Sequence, residues 1–125
     1  MSMPSRVVLR ESKDALMLTY SNGQGYTLPA EYLRVYSPSA EVRGHGEGNE
    51  TLQFGKRLVT INALEKAGNY ALQIVFSDGH DSGIYSWDYL QALAEGYEDR
   101  WATYLEKLHN AGLSRDIDSQ VIKLM

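Results

Sequence analysis

The feature that most constrains this chain is the order of its periodicities. Short, β-branched runs fill the first two-thirds, and helical spacing takes over only near the end. Arg6-Val7-Val8-Leu9-Arg10 and Ala15-Leu16-Met17-Leu18-Thr19-Tyr20 flank the turn cluster Ser12-Lys13-Asp14, which predicts a hairpin. Asn22-Gly23 supplies two residues that tolerate positive φ and leads into a third short strand at Tyr26-Thr27-Leu28. Pro29 pre-sets φ for a short helix over residues 30–36. Ser37-Pro38-Ser39 ends it, because the residue before a proline avoids the helical region. Residues 37–57 carry Gly44, Gly46, Gly48 and Gly55 and read as a long loop, a kind of segment that is usually functional or mobile. Residues 58–64 and 70–76 read as strands around the turn Gly68-Asn69. The second sets Tyr70, Leu72, Ile74 and Phe76 on one face and Ala71 and Val75 on the other, as a central strand would. Ser77-Asp78-Gly79-His80 turns into a further strand at Ser82-Gly83-Ile84-Tyr85. From the N-cap Ser86, Trp87, Leu90, Leu93 and Ala94 mark one helix. Gly96 breaks it, and Tyr97, Trp101, Tyr104, Leu105 and Leu108 mark a second that Gly112 terminates. The expected fold is therefore α+β: a mostly antiparallel sheet from N-terminal and central hairpins, a short helix after the third strand, and two C-terminal helices.

A length of 125 residues suits one core, so a single domain over 1–125 is expected, with its core at about 6–112. In the tail, 113–125, Ile117, Val121, Ile122 and Met125 read as an amphipathic turn or as a frayed end. With 43% hydrophobic and 22% charged residues the chain is ordinary globular protein rather than a disordered one. It has no apolar run near the ~20 residues needed to span a bilayer. The start, Met1-Ser2-Met3-Pro4-Ser5-Arg6, lacks the apolar stretch of a signal peptide, and the cytoplasm is the expected location. The complete lack of cysteine excludes disulfides, thiolate metal sites, cysteine nucleophiles and thiolate-held clusters on this chain. A net charge of −4 argues against a whole-surface nucleic-acid binder. That function would need Arg6, Arg34, Arg43, Lys56 and Arg57 to gather on one face.

Few motifs carry chemistry. No serine sits in a Gly-x-Ser-x-Gly elbow, and His109 falls on the exposed side of an amphipathic helix. Gly44-His45-Gly46-Glu47-Gly48 lacks the Lys-Ser/Thr ending of a phosphate loop, and Glu47 would repel an anion. Asp78-Gly79-His80-Asp81 is more promising: a histidine in a tight turn between strands, with carboxylates on both sides, suits a metal ligand or a proton acceptor. His45 with His80, plus a carboxylate such as Glu41, Asp78 or Asp81, would suit zinc or another divalent ion. The plainer alternative makes Asp78 an Asx-turn residue, gives Gly79 positive φ, and leaves His80 hydrogen-bonded to backbone. Nine tyrosines stand against two phenylalanines, and Tyr85, Trp87, Tyr89, Tyr97, Trp101 and Tyr104 cluster. Most would pack helices on the sheet, and any patch left over would mark a partner surface.

Two long segments then stand out. Leu33-Arg34-Val35-Tyr36-Ser37-Pro38-Ser39-Ala40-Glu41-Val42-Arg43-Gly44-His45-Gly46 is one, and Phe76-Ser77-Asp78-Gly79-His80-Asp81-Ser82-Gly83-Ile84-Tyr85-Ser86-Trp87-Asp88-Tyr89-Leu90 is the other. Together they resemble a bacterial family of small proteins of unknown function, similar to the N-terminal domain of gamma-butyrobetaine hydroxylase and trimethyllysine hydroxylase. The resemblance runs from about the second strand to the Trp101 helix. In the hydroxylases this domain precedes a separate one that holds iron and 2-oxoglutarate. Nothing after Trp101 is long enough to be that domain, so oxygenase activity is not expected. The resemblance also implies a zinc module, with three cysteines after the Leu-Arg segment and a histidine in the Asp-x-His segment. By position His80 matches that histidine, Ser37-Pro38-Ser39-Ala40-Glu41 stands where the cysteines are, and His45 is a candidate replacement ligand. A related domain fused to P-loop ATPases that handle iron–sulfur clusters implies an accessory role in their assembly, here as an adaptor.

Two readings follow. The first is a non-catalytic cytoplasmic interaction module with an unidentified protein partner, whose surface includes Glu41, Arg43, Asp78, Asp81 and Tyr85, with a residual divalent-metal site at His45 and His80. The second is a small enzyme or enzyme subunit that uses His80 as general base, oriented by Asp78 or Asp81.

Overall fold

A computed structural model describes residues 3–44 and 50–116. The N-terminal strands β1 (Arg6–Leu9), β2 (Ala15–Thr19) and β3 (Gly25–Pro29) form an antiparallel sheet with β2 in the middle. Leu16 faces Leu28, and Val8 faces Met17. Lys13 takes a left-handed φ of 63° in the first turn and Gly23 one of 91° in the second. α1 (Ala30–Val35) starts directly on Pro29, and α2 (Ala40–Arg43) follows a short crossing. A second antiparallel sheet comprises β4 (Ile61–Ala67), β5 (Ala71–Phe76) and β6 (Ile84–Ser86), with β5 central. α3 (Trp87–Glu95) and α4 (Tyr97–Ala111) complete the described fold. The architecture is the α+β arrangement expected from the sequence. Among the described residues no helix is long and apolar enough to cross a membrane.

One buried cluster joins both sheets to α1 and α3 through Leu16, Leu28, Tyr32, Ile61, Ile74 and Leu93. Each such aliphatic side chain contributes roughly 1.5–3 kcal/mol by leaving water. The two sheets meet where Ile61 N–H donates to the Lys13 carbonyl at 2.8 Å. A smaller cluster of Val35, Tyr104 and Leu108 fixes α4 against the end of α1.

Four local expectations shift. The strand read at 58–64 begins at Ile61, and Leu58 is 84% exposed. Glu65 and Lys66, both exposed, extend β4, because an edge strand tolerates charge. Tyr70 precedes β5 rather than joining its buried face, and is 66% exposed. Inside the segment read as loop, Ser39 caps α2 by accepting from the Glu41 N–H at 3.1 Å. Residues 113–116, assigned to the tail, pack on the domain: Gly55 N–H donates to the Ser114 carbonyl, and Arg115 pairs with Glu31.

Candidate functional site

The turn after β5 is built to hold one histidine still. Gly79 adopts φ 91°, Gly79 N–H donates to the Phe76 carbonyl, and Phe76 N–H donates to the His80 carbonyl. Asp78 Oδ1 accepts from the His80 backbone N–H at 3.1 Å, an Asx turn of the kind the sequence suggested. The imidazole is thereby aimed at the crossing between α1 and α2.

There it meets two side chains. Ser37 Oγ lies 2.8 Å from Nε2, and Glu41 Oε1 lies 3.1 Å from Nδ1. The neutral tautomer that satisfies both has Nδ1–H donating to Glu41 and Nε2 accepting from the Ser37 hydroxyl. Ser37 Oγ also accepts from the Ser39 N–H, Ser39 Oγ bonds Ser82 Oγ, and Ser82 donates to Glu41 Oε1. Gly83 is needed beside them, since a Cβ there would stand 2.5 Å from Ser37 Oγ. Burial lowers the His80 pKa, the Arg34 charge adds to that, and Glu41 and Asp78 oppose it with a smaller effect. The ring is therefore neutral at pH 7.

A second layer lies beneath. Asp78 Oδ2 accepts from Arg34 Nε at 2.8 Å and from Lys56 Nζ at 2.6 Å. Burial alone would raise the Asp78 pKa, but the bonds from Lys56, the His80 N–H and Arg34 outweigh it and hold the carboxyl at about 2. Asp78 thus positions the His80 backbone and anchors two cations, while Glu41 orients the ring. The general-base reading had given that orienting role to Asp78 or Asp81. Asp81 is exposed, and its carbonyl accepts from Gln73 Nε2. Tyr85 is fully buried and donates to the Leu33 carbonyl at 2.6 Å, so its side chain forms no part of a partner surface. Arg43 is half-buried, with its guanidinium 5.8 Å from the centre of the Tyr36 ring. His109 is exposed on α4. Of the cations a nucleic-acid face would need, Arg34 and Lys56 are tied to Asp78 and Arg57 to Asp116.

Serine, imidazole and carboxylate stand here in the same connectivity as in a nucleophilic triad. Access is lacking: Ser37 is 0% exposed and His80 7%. Among the described residues the donors around His80 do not make up the zinc module that the resemblance implies. Both ring nitrogens are engaged, the neighbouring oxygens belong to neutral hydroxyls, and one carboxylate faces the ring. Among the described residues no group of three or more histidine, aspartate, glutamate or cysteine side chains is placed to hold a metal. His45 lies outside the described residues.

This geometry, on this strand order, has relatives. The family model for gamma-butyrobetaine hydroxylase-like N-terminal domains matches residues 7–91. The chain belongs to this family. A protein solved in solution by NMR is 51% identical, with a TM-score of 0.82 over 98% of this chain and 97% of its own. A second NMR structure is 47% identical, with a TM-score of 0.76 over 90% of this chain and 84% of its own. A crystal structure from Acidithiobacillus ferrooxidans, a protein of unknown function in the DUF971 family, is 30% identical, with a TM-score of 0.60 over 74% and 93%. No match is found among curated proteins. The family match includes both the Ser37–Glu41 crossing and the His80 turn, so the cluster lies in the part of the chain that defines membership.

Reading the sequence singled out His80 and Glu41 but missed Ser37 as a partner of the ring, and Arg34 and Lys56 as partners of Asp78. A signal for Ser37 was present, since it stands in the crossing that resembles a ligand cluster. None marked Lys56, whose pairing with Asp78 depends on the path of the loop before β4.

Proposed function

We propose that this family member is a non-catalytic interaction module of the cytoplasm, which presents Glu41 and Asp81 to a protein partner. The observation that carries the reading is the closure of the Ser37–His80–Glu41 array. Its nucleophile and base lack the exposure a substrate needs, while the Glu41 side chain above them is 71% exposed. A rigid hydrogen-bonded base under exposed charges suits recognition, where fixed geometry lowers the ordering entropy lost on binding. With no cysteine, the chain holds no thiolate-ligated cluster, so any role near iron–sulfur assembly would fall to this surface.

The test is photo-crosslinking in the source cell, with a benzophenone amino acid at position 41 or 81 and, for comparison, at position 109 on α4. A discrete protein adduct from the first two positions alone supports the module. Equal or absent adducts overturn it. The serine–histidine–glutamate connectivity favours one competing reading, a hydrolase that opens transiently. A fluorophosphonate probe, which captures activated serines, decides it: labelling at Ser37 that disappears in His80→Ala makes the protein an enzyme.

A further inference from the structure

We propose that the cavity between α2 and α4 binds a small organic anion, a carboxylate or phosphate carried on an apolar body. The cavity measures about 240 Å³. Tyr36, Leu52 and Tyr104 give it apolar and aromatic walls, and Arg43, Lys107 and Glu50 give it charge. Among its described lining residues two cations stand against one carboxylate, in a chain of net charge −4.

Arg43 singles this cavity out. Arg34, Arg57 and Arg115 each hold a carboxylate, whereas Arg43 holds none among the described residues. Its Nε is buried and has no hydrogen-bond partner among the described residues. A buried, unsatisfied donor on a charged group is unfavourable, and calls for a water, an ion or a ligand to complete it. The guanidinium is already set over the Tyr36 ring, so its planar fork is pre-organised for a two-oxygen anion. Tyr104 does not compete for that anion, because its hydroxyl donates to the Gln53 carbonyl at 2.9 Å. The volume lies below the roughly 300–1,000 Å³ of drug-sized sites, which limits the occupant to about one small ring or short chain with its head group. This inference goes beyond the surface reading: its occupant is a small molecule, and its walls include Tyr104 and Lys107 of α4.

The test is a set of ¹H–¹⁵N titrations of the full chain with benzoate, phenyl phosphate and, as neutral control, benzyl alcohol. Benzoate or phenyl phosphate is expected to shift the Arg43 Nε–H and the amides of Thr51, Leu52 and Gln53 saturably. The stronger of the two identifies the head group. Benzyl alcohol should bind about tenfold more weakly, and Arg43→Gln should weaken the anion about tenfold. Lys107→Gln, on an exposed helix face, tests the field of the site if Arg43→Gln fails to fold, and should also weaken the anion. Equal binding of benzyl alcohol would reduce the cavity to an apolar hole. Absence of saturation, or both variants titrating like wild type, would overturn the proposal outright.

Discussion

At the scale of single residues, His80 and Asp78 set the acid behaviour of the protein. The folded-state pKa of His80 lies below its ordinary value of 6.5, because burial disfavours the imidazolium. The unfolded chain therefore takes up the proton first. Stability is full above about pH 6.5 and falls as the pH drops through that value toward the folded pKa. Asp78, held at about 2 against 3.8, adds a second loss as the pH falls below about 4. Urea melts across this range should show both steps, and His80→Gln should remove the upper one alone. A stability that stays flat from about pH 7 to about pH 5 would contradict the buried neutral ring. Gly83 gives a steric test. Gly83→Ala forces a methyl against Ser37 Oγ and should destabilise by about 1–3 kcal/mol. Ser37→Ala removes the oxygen that the methyl would strike, so the double variant should lose less than the sum of the singles. Additivity would mean that the crossing moves aside.

At the scale of elements, the tyrosine excess becomes intelligible. Tyr32 donates to the Leu93 carbonyl, Tyr36 to Arg100, Tyr85 to Leu33, and Tyr89 to Tyr36. These rings fill the spaces between α1, α3 and α4, and their hydroxyls satisfy backbone carbonyls that phenylalanine would leave unpaired. Tyr32→Phe should therefore cost about 1 kcal/mol in denaturant melts. Position in the sequence showed that aromatics cluster after residue 85, but not which carbonyls they serve, since those contacts span 50 or more positions. The strands were legible because turn chemistry at Asn22-Gly23, Gly68 and Gly79 punctuates them, and all three glycines have positive φ. The β4 boundary was not, because an apolar Leu58 outside a strand and a charged Glu65 inside one reverse the usual pattern. Residues 113–116 read as a tail because the partners that hold them are distant in sequence. Arg115 makes a two-pronged pair with Glu31, at 2.6 and 2.8 Å, and lies 5.0 Å from the centre of the Trp101 ring. Glu31 is almost fully buried, so Arg115→Ala would strand its carboxylate and should cost about 3 kcal/mol. Arg115→Lys should recover only part of this, because a point charge replaces the fork.

At the scale of the whole molecule, the question is what locks the α1–α2 crossing to the second sheet. In a zinc module, metal binding supplies much of the folding free energy, and chelators unfold the domain. Here one imidazole, accepting from Ser37 and donating to Glu41, occupies that place, and the ion pairs of Asp78 reach from α1 to the loop before β4. The buried core that joins the two sheets is itself apolar, with Leu16, Ile61, Ile74 and Leu93 among its members. The chain is therefore expected to fold without metal. Its thermal midpoint should be the same in excess EDTA as in excess zinc, because a ligand that does not bind the native state leaves the equilibrium unmoved. His80→Ala should lower the midpoint by the same amount in both conditions. A midpoint that rises with zinc in the wild type, but not in His80→Ala, would show that the imidazole exchanges Ser37 and Glu41 for a metal, and the cluster would then be a site rather than a lock.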